Sequence, residues 1–116
     1  IQNFLEPWGI LGVPVPAGDS AALDRAVQHT PHCRIVLIES PANPTLTMTD
    51  IARAVASAEA RAPRPLVMVD NTFLGPAFQH PLELGADGVQ LAGTAGGAQR
   101  ARARPHPDRV ERVYRP

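Results

Sequence analysis

The stretch Arg34–Ile38, which reads RIVLI, decides the fold. Four consecutive β-forming residues are typical of a parallel strand that is covered on both faces. A second apolar run at Leu66–Val69 has the same character, and a shorter strand is expected near residues 88–91. The sequence therefore predicts an α/β protein in which helices flank a parallel sheet.

The first part of the chain predicts one more strand and one helix. Ile10–Val15 is apolar, although Pro14 places its end near a sheet margin,. Asp19 or Ser20 can cap a helix that Pro31 ends,. The predicted order of elements thus begins with a strand and a helix.

A second helix is predicted between the two long apolar runs. The pattern Thr47-x-x-Asp50 is typical of a capping box for a helix over about residues 50–61,. Its sheet-facing side would carry Ile51, Val55 and Ala58. The complete order is then βαβαβ, which is typical of parallel sheets.

Length and composition restrict the class of protein. The chain has 116 residues and 44% hydrophobic residues, as expected for at most one globular domain,. A single cysteine, Cys33, excludes an internal disulfide, and no apolar run is long enough to span a membrane,. We expect a cytoplasmic location. Because the chain begins at Ile1, we also expect that leading residues are missing and that the chain is a fragment.

Charge is unevenly distributed although the formal net charge is zero. Residues 1–99 hold five Arg and nine acidic residues, whereas residues 100–116 hold six Arg and two acidic residues. A basic tail is found in small nucleic-acid binders, and that function stays open as an alternative. The tail lacks interleaved aromatic residues, however, so we expect no specific nucleic-acid recognition and an unstructured or aberrant terminus.

Two polar residues follow neighbouring predicted strands. Asn43 lies in the loop after the first apolar run, and Asp70 follows the second. Ligands of open parallel sheets bind outside the carboxyl ends of the strands, which makes both residues candidates for a binding site. Alternatively, Asp70 caps a turn through its own backbone, as Asp-Asn pairs often do. No metal site is expected from His29, His32 and Cys33, which are interpreted as a surface loop.

Four linked motifs carry a family resemblance: Glu39–Pro44 (ESPANP), Thr49–Ile51 (TDI), Val69–Phe73 (VDNTF) and Pro81–Asp87 (PLELGAD). Over about residues 4–91 the chain resembles the Cys/Met-metabolism (trans-sulfuration) family of pyridoxal-phosphate enzymes, such as cystathionine γ-synthase, cystathionine lyases and methionine γ-lyase. The resemblance implies a fragment of the fold-type I PLP-dependent transferase large domain, with a partial parallel (mixed) sheet. It also implies a homo-tetramer that performs C–S lyase or γ-replacement reactions on sulfur-containing amino acids.

The same resemblance implies a cofactor, pyridoxal 5′-phosphate (PLP), and roles for three residues. Asp70 would face the ring nitrogen, and its negative charge would favour the protonated form of that nitrogen. Asn43 would approach the 3′ oxygen of the ring. Thr94 matches a hydroxyl that helps to hold the phosphate.

The chain departs from the family where the catalytic lysine is expected. Aligned without gaps from Asp87, the lysine position is occupied by Ala95, and the chain contains no lysine at all. We therefore expect covalent attachment of PLP to be impossible and the chain to be inactive. Residues 1–91 are interpreted as a partial PLP-binding large domain, and residues 92–116 as a diverged or frameshifted, poorly ordered tail. A non-catalytic pseudoenzyme or interaction protein on the same scaffold is the alternative.

Overall fold

A computed structural model describes residues 5–91 of the chain. Its sheet has three strands in the order β1-β2-β3: β1 (Ile35–Glu39), β2 (Leu66–Asp70) and β3 (Gly88–Gln90). Both pairings are parallel, with Ile35 opposite Leu66 and Met68 opposite Gly88. The predicted parallel α/β architecture is confirmed, and the three strands predicted at residues 34–38, 66–69 and 88–91 have bounds within one residue of the observed ones.

Three helices accompany the sheet: α1 (Ser20–His29), α2 (Ile51–Glu59) and the short α3 (Gly75–Phe78). A 3-10 turn at Glu6–Trp8 precedes them. Asp19 caps α1, as expected, by accepting a hydrogen bond from the backbone N–H of Ala22 at 2.8 Å,. Helix α2 ends at Glu59, four residues before Pro63. Proline disfavours the helical conformation of the residue that precedes it, so the helix cannot easily continue to Pro63.

The capping box predicted at Thr47 is wrong. Asp50 is the N-cap of α2, and its Oδ1 accepts a hydrogen bond from the backbone N–H of Arg53 at 2.9 Å. Thr47 instead lies in the loop before the helix and shares a hydrogen bond with the hydroxyl of Thr45. A carboxylate one residue before the helix satisfies one of the first free N–H groups directly, so Asp50 and not Thr47 is the N-cap,.

The core lies between α2 and one face of the sheet, and α1 packs on α2. The predicted inward face of α2 is confirmed, because Ile51, Val55 and Ala58 are all buried. The remaining core residues come from both long helices, both long strands and the turn before β3: Val27, Val36, Ile38, Ala54, Val67, Val69 and Ala86. Arg61 joins the two helices by donating hydrogen bonds to the carbonyls of Val27 and Thr30 at the end of α1.

Helices on both faces of the sheet were expected, but the described residues cover only one. In β1, Val36 and Ile38 face α2 and are buried, whereas Ile35 and Leu37 are 57% and 59% exposed. Because side chains alternate along a strand, Ile35, Leu37, Leu66 and Met68 share the second face. Within residues 5–91 no helix packs on this open face of the sheet.

The strand predicted at Ile10–Val15 is also wrong. Residues 10–16 form no strand or helix, and Ile10, Leu11 and Val13 are more than half exposed. Proline has no backbone N–H to give to a neighbouring strand, and both Pro14 and Pro16 lie in or next to this segment,. Apolar composition alone does not make a strand when donors are missing.

The open face of the sheet leads to a prediction about self-association. We expect the chain to associate, and the double substitution Ile35→Thr with Leu37→Thr to weaken association by about tenfold or more, since each half-exposed aliphatic side chain contributes on the order of 1 kcal/mol when covered. Sedimentation velocity over a concentration series measures this. The control is Val13→Thr, which removes aliphatic surface of similar exposure, 55%, from a segment outside the sheet. An equal effect of both changes would contradict a role of the open face.

Candidate functional site

Asp70 ends the central strand of the sheet, so it lies at the carboxyl edge where ligands of parallel sheets bind,. Glu39 is opposite it in β1 and Gln90 in β3. Asp70 is half-buried and belongs to the same face as Met68, the open face of the sheet. The carboxyl edge therefore presents two carboxylates on neighbouring strands, which favours a positively charged group at this place.

The carboxylate of Asp70 is held by Thr72. Its Oδ1 accepts hydrogen bonds from the backbone N–H of Thr72 at 3.1 Å and from the Thr72 hydroxyl. This is the turn-capping geometry that the sequence left open as an alternative. Capping uses only one oxygen, however, and Oδ2 accepts no hydrogen bond from any of residues 5–91. The turn fixes the carboxylate and leaves one oxygen available for a ligand.

The loop that carries Asn43 is tied to the end of β2. The backbone N–H of Ser40 donates to the carbonyl of Asp70 at 3.1 Å, and the buried Ser40 hydroxyl accepts from the backbone N–H of Thr49 at 3.2 Å. Asn43 lies three residues after Ser40 and is exposed. The structure thus brings the start of this loop to Asp70, and no hydrogen bond joins Asn43 to Asp70 among the described residues.

The other two predicted site positions, Thr94 and Ala95, lie outside the described residues, as does the tail at 92–116. The hydroxyl predicted for the phosphate and the substituted lysine position therefore stay predictions.

Sequence reasoning missed Asn71, whose side chain is buried although it follows a candidate ligand-binding residue. Its exposure is 1%, and its Nδ2 donates to the carbonyls of Gly75 and Gln79, each at 3.1 Å. Its backbone N–H donates to the carbonyl of Gln90 in β3 at 2.9 Å. The period of the strand was the available signal, because Val67, Val69 and Asn71 continue one buried face.

Residues 5–91 contain no candidate metal cluster and no helix that could span a membrane. Within residues 5–91 no group of three or more His, Cys, Asp or Glu side chains could hold a metal ion, and His29, His32 and Cys33 are no exception. None of the described helices has the length and apolar character that a membrane crossing requires.

A model of the family described as Cys/Met metabolism PLP-dependent enzyme matches residues 1–95. The chain belongs to this family. The match covers most of the chain and includes both loops at the carboxyl edge. Pyridoxal phosphate is the cofactor of the family, as its description states.

Relatives with named activities fall into more than one reaction type. The chain is 48% identical over 94 residues to L-methionine gamma-lyase of Pseudomonas putida, which is 81% of this chain and 23% of the relative. It is 40% identical over 89 residues to cystathionine gamma-synthase of Mycobacterium tuberculosis, which is 77% of this chain and 22% of the relative. The chain thus spans less than a quarter of the length of these relatives.

Solved structures have the same fold. A methionine gamma lyase from Micromonospora echinospora superposes with a TM-score of 0.68 at 32% identity, over 76% of this chain and 24% of the other. A cystathionine gamma-lyase from Lactobacillus plantarum, solved with L-serine, gives 0.65 at 38% identity, over 73% of this chain and 21% of the other. The three-stranded sheet is therefore part of a larger arrangement in both enzymes.

The residues at the carboxyl edge fit the ring end of pyridoxal phosphate. A protonated pyridine nitrogen needs an anionic acceptor, and Asp70 offers an oxygen that no described residue occupies,. The exposed amide of Asn43 can donate to an oxygen on the ring,.

Proposed function

We propose that this chain contributes part of the cofactor site of a PLP-dependent enzyme that acts on sulfur-containing amino acids. The family assignment supports the cofactor, and the names of the relatives support a C–S lyase or γ-replacement reaction. The carboxylate of Asp70, fixed by Thr72 at the carboxyl edge, is the observation that carries the proposal. Association into a homo-tetramer remains a prediction.

Asp70 is proposed to accept a hydrogen bond from the ring nitrogen through Oδ2. The bound cofactor supplies an electron sink, which is effective while its ring nitrogen is protonated. A fixed carboxylate next to that nitrogen keeps it protonated by charge pairing. The hydrogen bonds from Thr72 orient Asp70 before the cofactor arrives, so little ordering is needed on binding,.

Asn43 is proposed to donate from its side-chain amide to the 3′ oxygen of the ring, and Thr94 to contact the phosphate. Asn43 is exposed and lies only three residues after Ser40, whose backbone N–H donates to the carbonyl of Asp70. This connection supports the assignment of Asn43 and Asp70 to one site. Two contacts on different ring atoms would set the orientation of the ring.

We further propose that the chain does not catalyse the reaction by itself. Enzymes of this kind hold their cofactor through a lysine amine, which also activates it and moves protons. No residue of the chain can replace that amine, because alanine stands at the aligned position 95 and the sequence contains no lysine. The alternative of a non-catalytic interaction protein is less well supported, because the quoted relatives are named for enzymatic activities.

Asp70→Asn tests the proposed site. Pyridoxamine 5′-phosphate is the appropriate probe, because it carries its own amine and needs no lysine. We expect a titration of the ¹⁵N-labelled chain to shift the amide signals of Asp70 and Thr72. The variant should bind about tenfold more weakly or worse, since hydrogen bonds to a charged group contribute about 1.5–3 kcal/mol.

The matched control is Asp24→Asn, which removes a carboxylate of α1 that pairs with Arg53 of α2 and belongs to none of the three strands. It should bind the probe as the unchanged chain does. Equal binding by the Asp70 variant, or shifts confined to other parts of the sheet, would contradict the proposed site.

A further inference from the structure

Asn71 connects three parts of the chain around the end of β2. Its side-chain Nδ2 donates to two backbone carbonyls. One belongs to Gly75, the first residue of α3, and the other to Gln79, the residue that follows the end of α3. Its backbone carbonyl accepts from the N–H of Gly75 at 2.9 Å, and its own N–H donates to Gln90 in β3. Four hydrogen bonds therefore hold one residue in the turn that follows Asp70.

Burial of this amide has a direct energetic consequence. A buried polar side chain is costly unless it is hydrogen-bonded, so Asn71 is stable inside only while both donor bonds exist. Its Oδ1 is buried and has no partner among residues 5–91, which makes the two bonds of Nδ2 the polar contacts that retain the side chain.

The alternation of side chains transmits this constraint to Asp70. Successive residues of a strand point to opposite faces, and Asn71 continues the buried side of Val67 and Val69,. A rotation of the strand end that moved Asp70 out of the open face would expose or unpair the amide of Asn71. The anchored amide thereby sets the direction of the carboxylate before it.

We propose that Asn71 is a positioning residue that aims the carboxylate of Asp70 at the cofactor ring. This inference rests on the proposed role of Asp70. Asn71 does not touch the ring; it fixes the turn in which Thr72 reaches back to Oδ1. Sites of this kind need their groups held within about 0.5 Å, so a loosened turn reduces binding even if Asp70 is unchanged.

Two measurements on the full chain test the inference with Asn71→Leu, which keeps the number and branching of the side-chain heavy atoms and removes both N–H donors. Site-resolved hydrogen exchange should show the amide of Thr72 exchanging about tenfold faster or more, relative to the amide of Val69 in the same variant. Titration with pyridoxamine 5′-phosphate should show affinity lower by about tenfold. Asn71→Ser, which keeps one hydroxyl donor, should give intermediate values and serves if Asn71→Leu does not fold.

The control is Ala58→Gly, which weakens the buried face of α2 and does not touch the turn,. It should raise exchange at Thr72 and Val69 together and leave the affinity unchanged. A merely structural Asn71 would behave in the same way, and that result overturns the inference. Faster exchange at Thr72 with unchanged affinity for the probe also overturns the inference. Lower affinity with unchanged exchange at Thr72 overturns it as well.

Failure of the proposed function is recognised separately. If the unchanged chain shows no shifts at residues 70–72 with the probe, the role of Asp70 is wrong. The exchange measurement still decides whether Asn71 fixes the turn: a rise confined to Thr72 supports this, and a uniform rise overturns it.

Discussion

Replacing Asp87 with alanine should lower the free energy of unfolding by about 3 kcal/mol. Oδ2 of Asp87 accepts hydrogen bonds from Nη1 of Arg64 at 2.7 Å and from the backbone N–H of Val67 at 2.8 Å. The side chains of Arg64 and Asp87 are only 17% and 10% exposed. The substitution leaves a guanidinium and a strand N–H without this acceptor in a place that water reaches poorly, and urea denaturation measures the loss.

Asp24→Ala is the matched control for this change. It breaks the other described ion pair, in which Nη2 of Arg53 lies 2.7 Å from Oδ2 of Asp24. Those side chains are 51% and 33% exposed, so the expected loss is below about 1 kcal/mol,. Similar losses from both substitutions would mean that Asp87 does not act as a buried connection between β2 and the turn before β3.

The position of Asp87 has a consequence for the candidate site. Its Oδ2 accepts a hydrogen bond from the backbone N–H of Val67 in β2, and its own backbone N–H donates to the carbonyl of Val67 at 2.8 Å. These bonds fix the point at which β3 begins to pair with β2. The register then places Gln90 beside Asp70 at the carboxyl edge. The contacts of Asp87 with Arg64 and Val67 thus give the PLELGAD motif a role in sheet assembly.

In the parts of the fold that were predicted correctly, the spacing of apolar residues along the chain matches the side chains that are buried in the structure. The apolar runs became β1 and β2, and the helical spacing of Ile51, Val55 and Ala58 became the buried face of α2. Ile10–Val15 satisfied the apolar criterion alone. Pro14 within it and Pro16 after it have no backbone N–H to donate; the segment forms no strand, and Ile10, Leu11 and Val13 stay exposed.

The open face of the sheet was beyond prediction for a different reason. A run of apolar residues indicates that a strand is suited to burial on both sides, but it does not indicate which segment provides the cover. Ile35 and Leu37 are exposed although the pattern around them is that of an interior strand. The solved relatives are about four to five times longer than the region that superposes.

The candidate site was predicted in part. The loop and the strand end that carry Asn43 and Asp70 could be expected at one edge, because parallel strands end together. That Asp70 caps the turn by accepting from Thr72 was one of two interpretations that the sequence left open,. The bonds of Asn71 could not be predicted, since its acceptors are carbonyls at the two ends of the short helix α3, whose position depends on tertiary packing.

Gly85→Ala is expected to lower the free energy of unfolding by about 2–4 kcal/mol. Gly85 has a φ of +97°, and an added Cβ would lie 3.0 Å from Cγ1 of Val55, a buried residue of α2. The change therefore combines backbone strain with overpacking of the core, and thermal or urea unfolding measures the sum.

Gly9→Ala separates the two contributions, because Gly9 has a similar φ of +74° but nothing within 4 Å of the added Cβ. It should cost about 1–2 kcal/mol, which is the backbone contribution alone. Adding Val55→Ala to Gly85→Ala gives the packing contribution as a coupling energy, since the smaller side chain removes the close contact. Additive losses from Gly85→Ala and Val55→Ala would contradict this contact. A favourable coupling would mean that the turn before β3 packs closely against α2. Helix α2 would then limit the position of β3, and therefore the position of Gln90 beside Asp70 at the carboxyl edge.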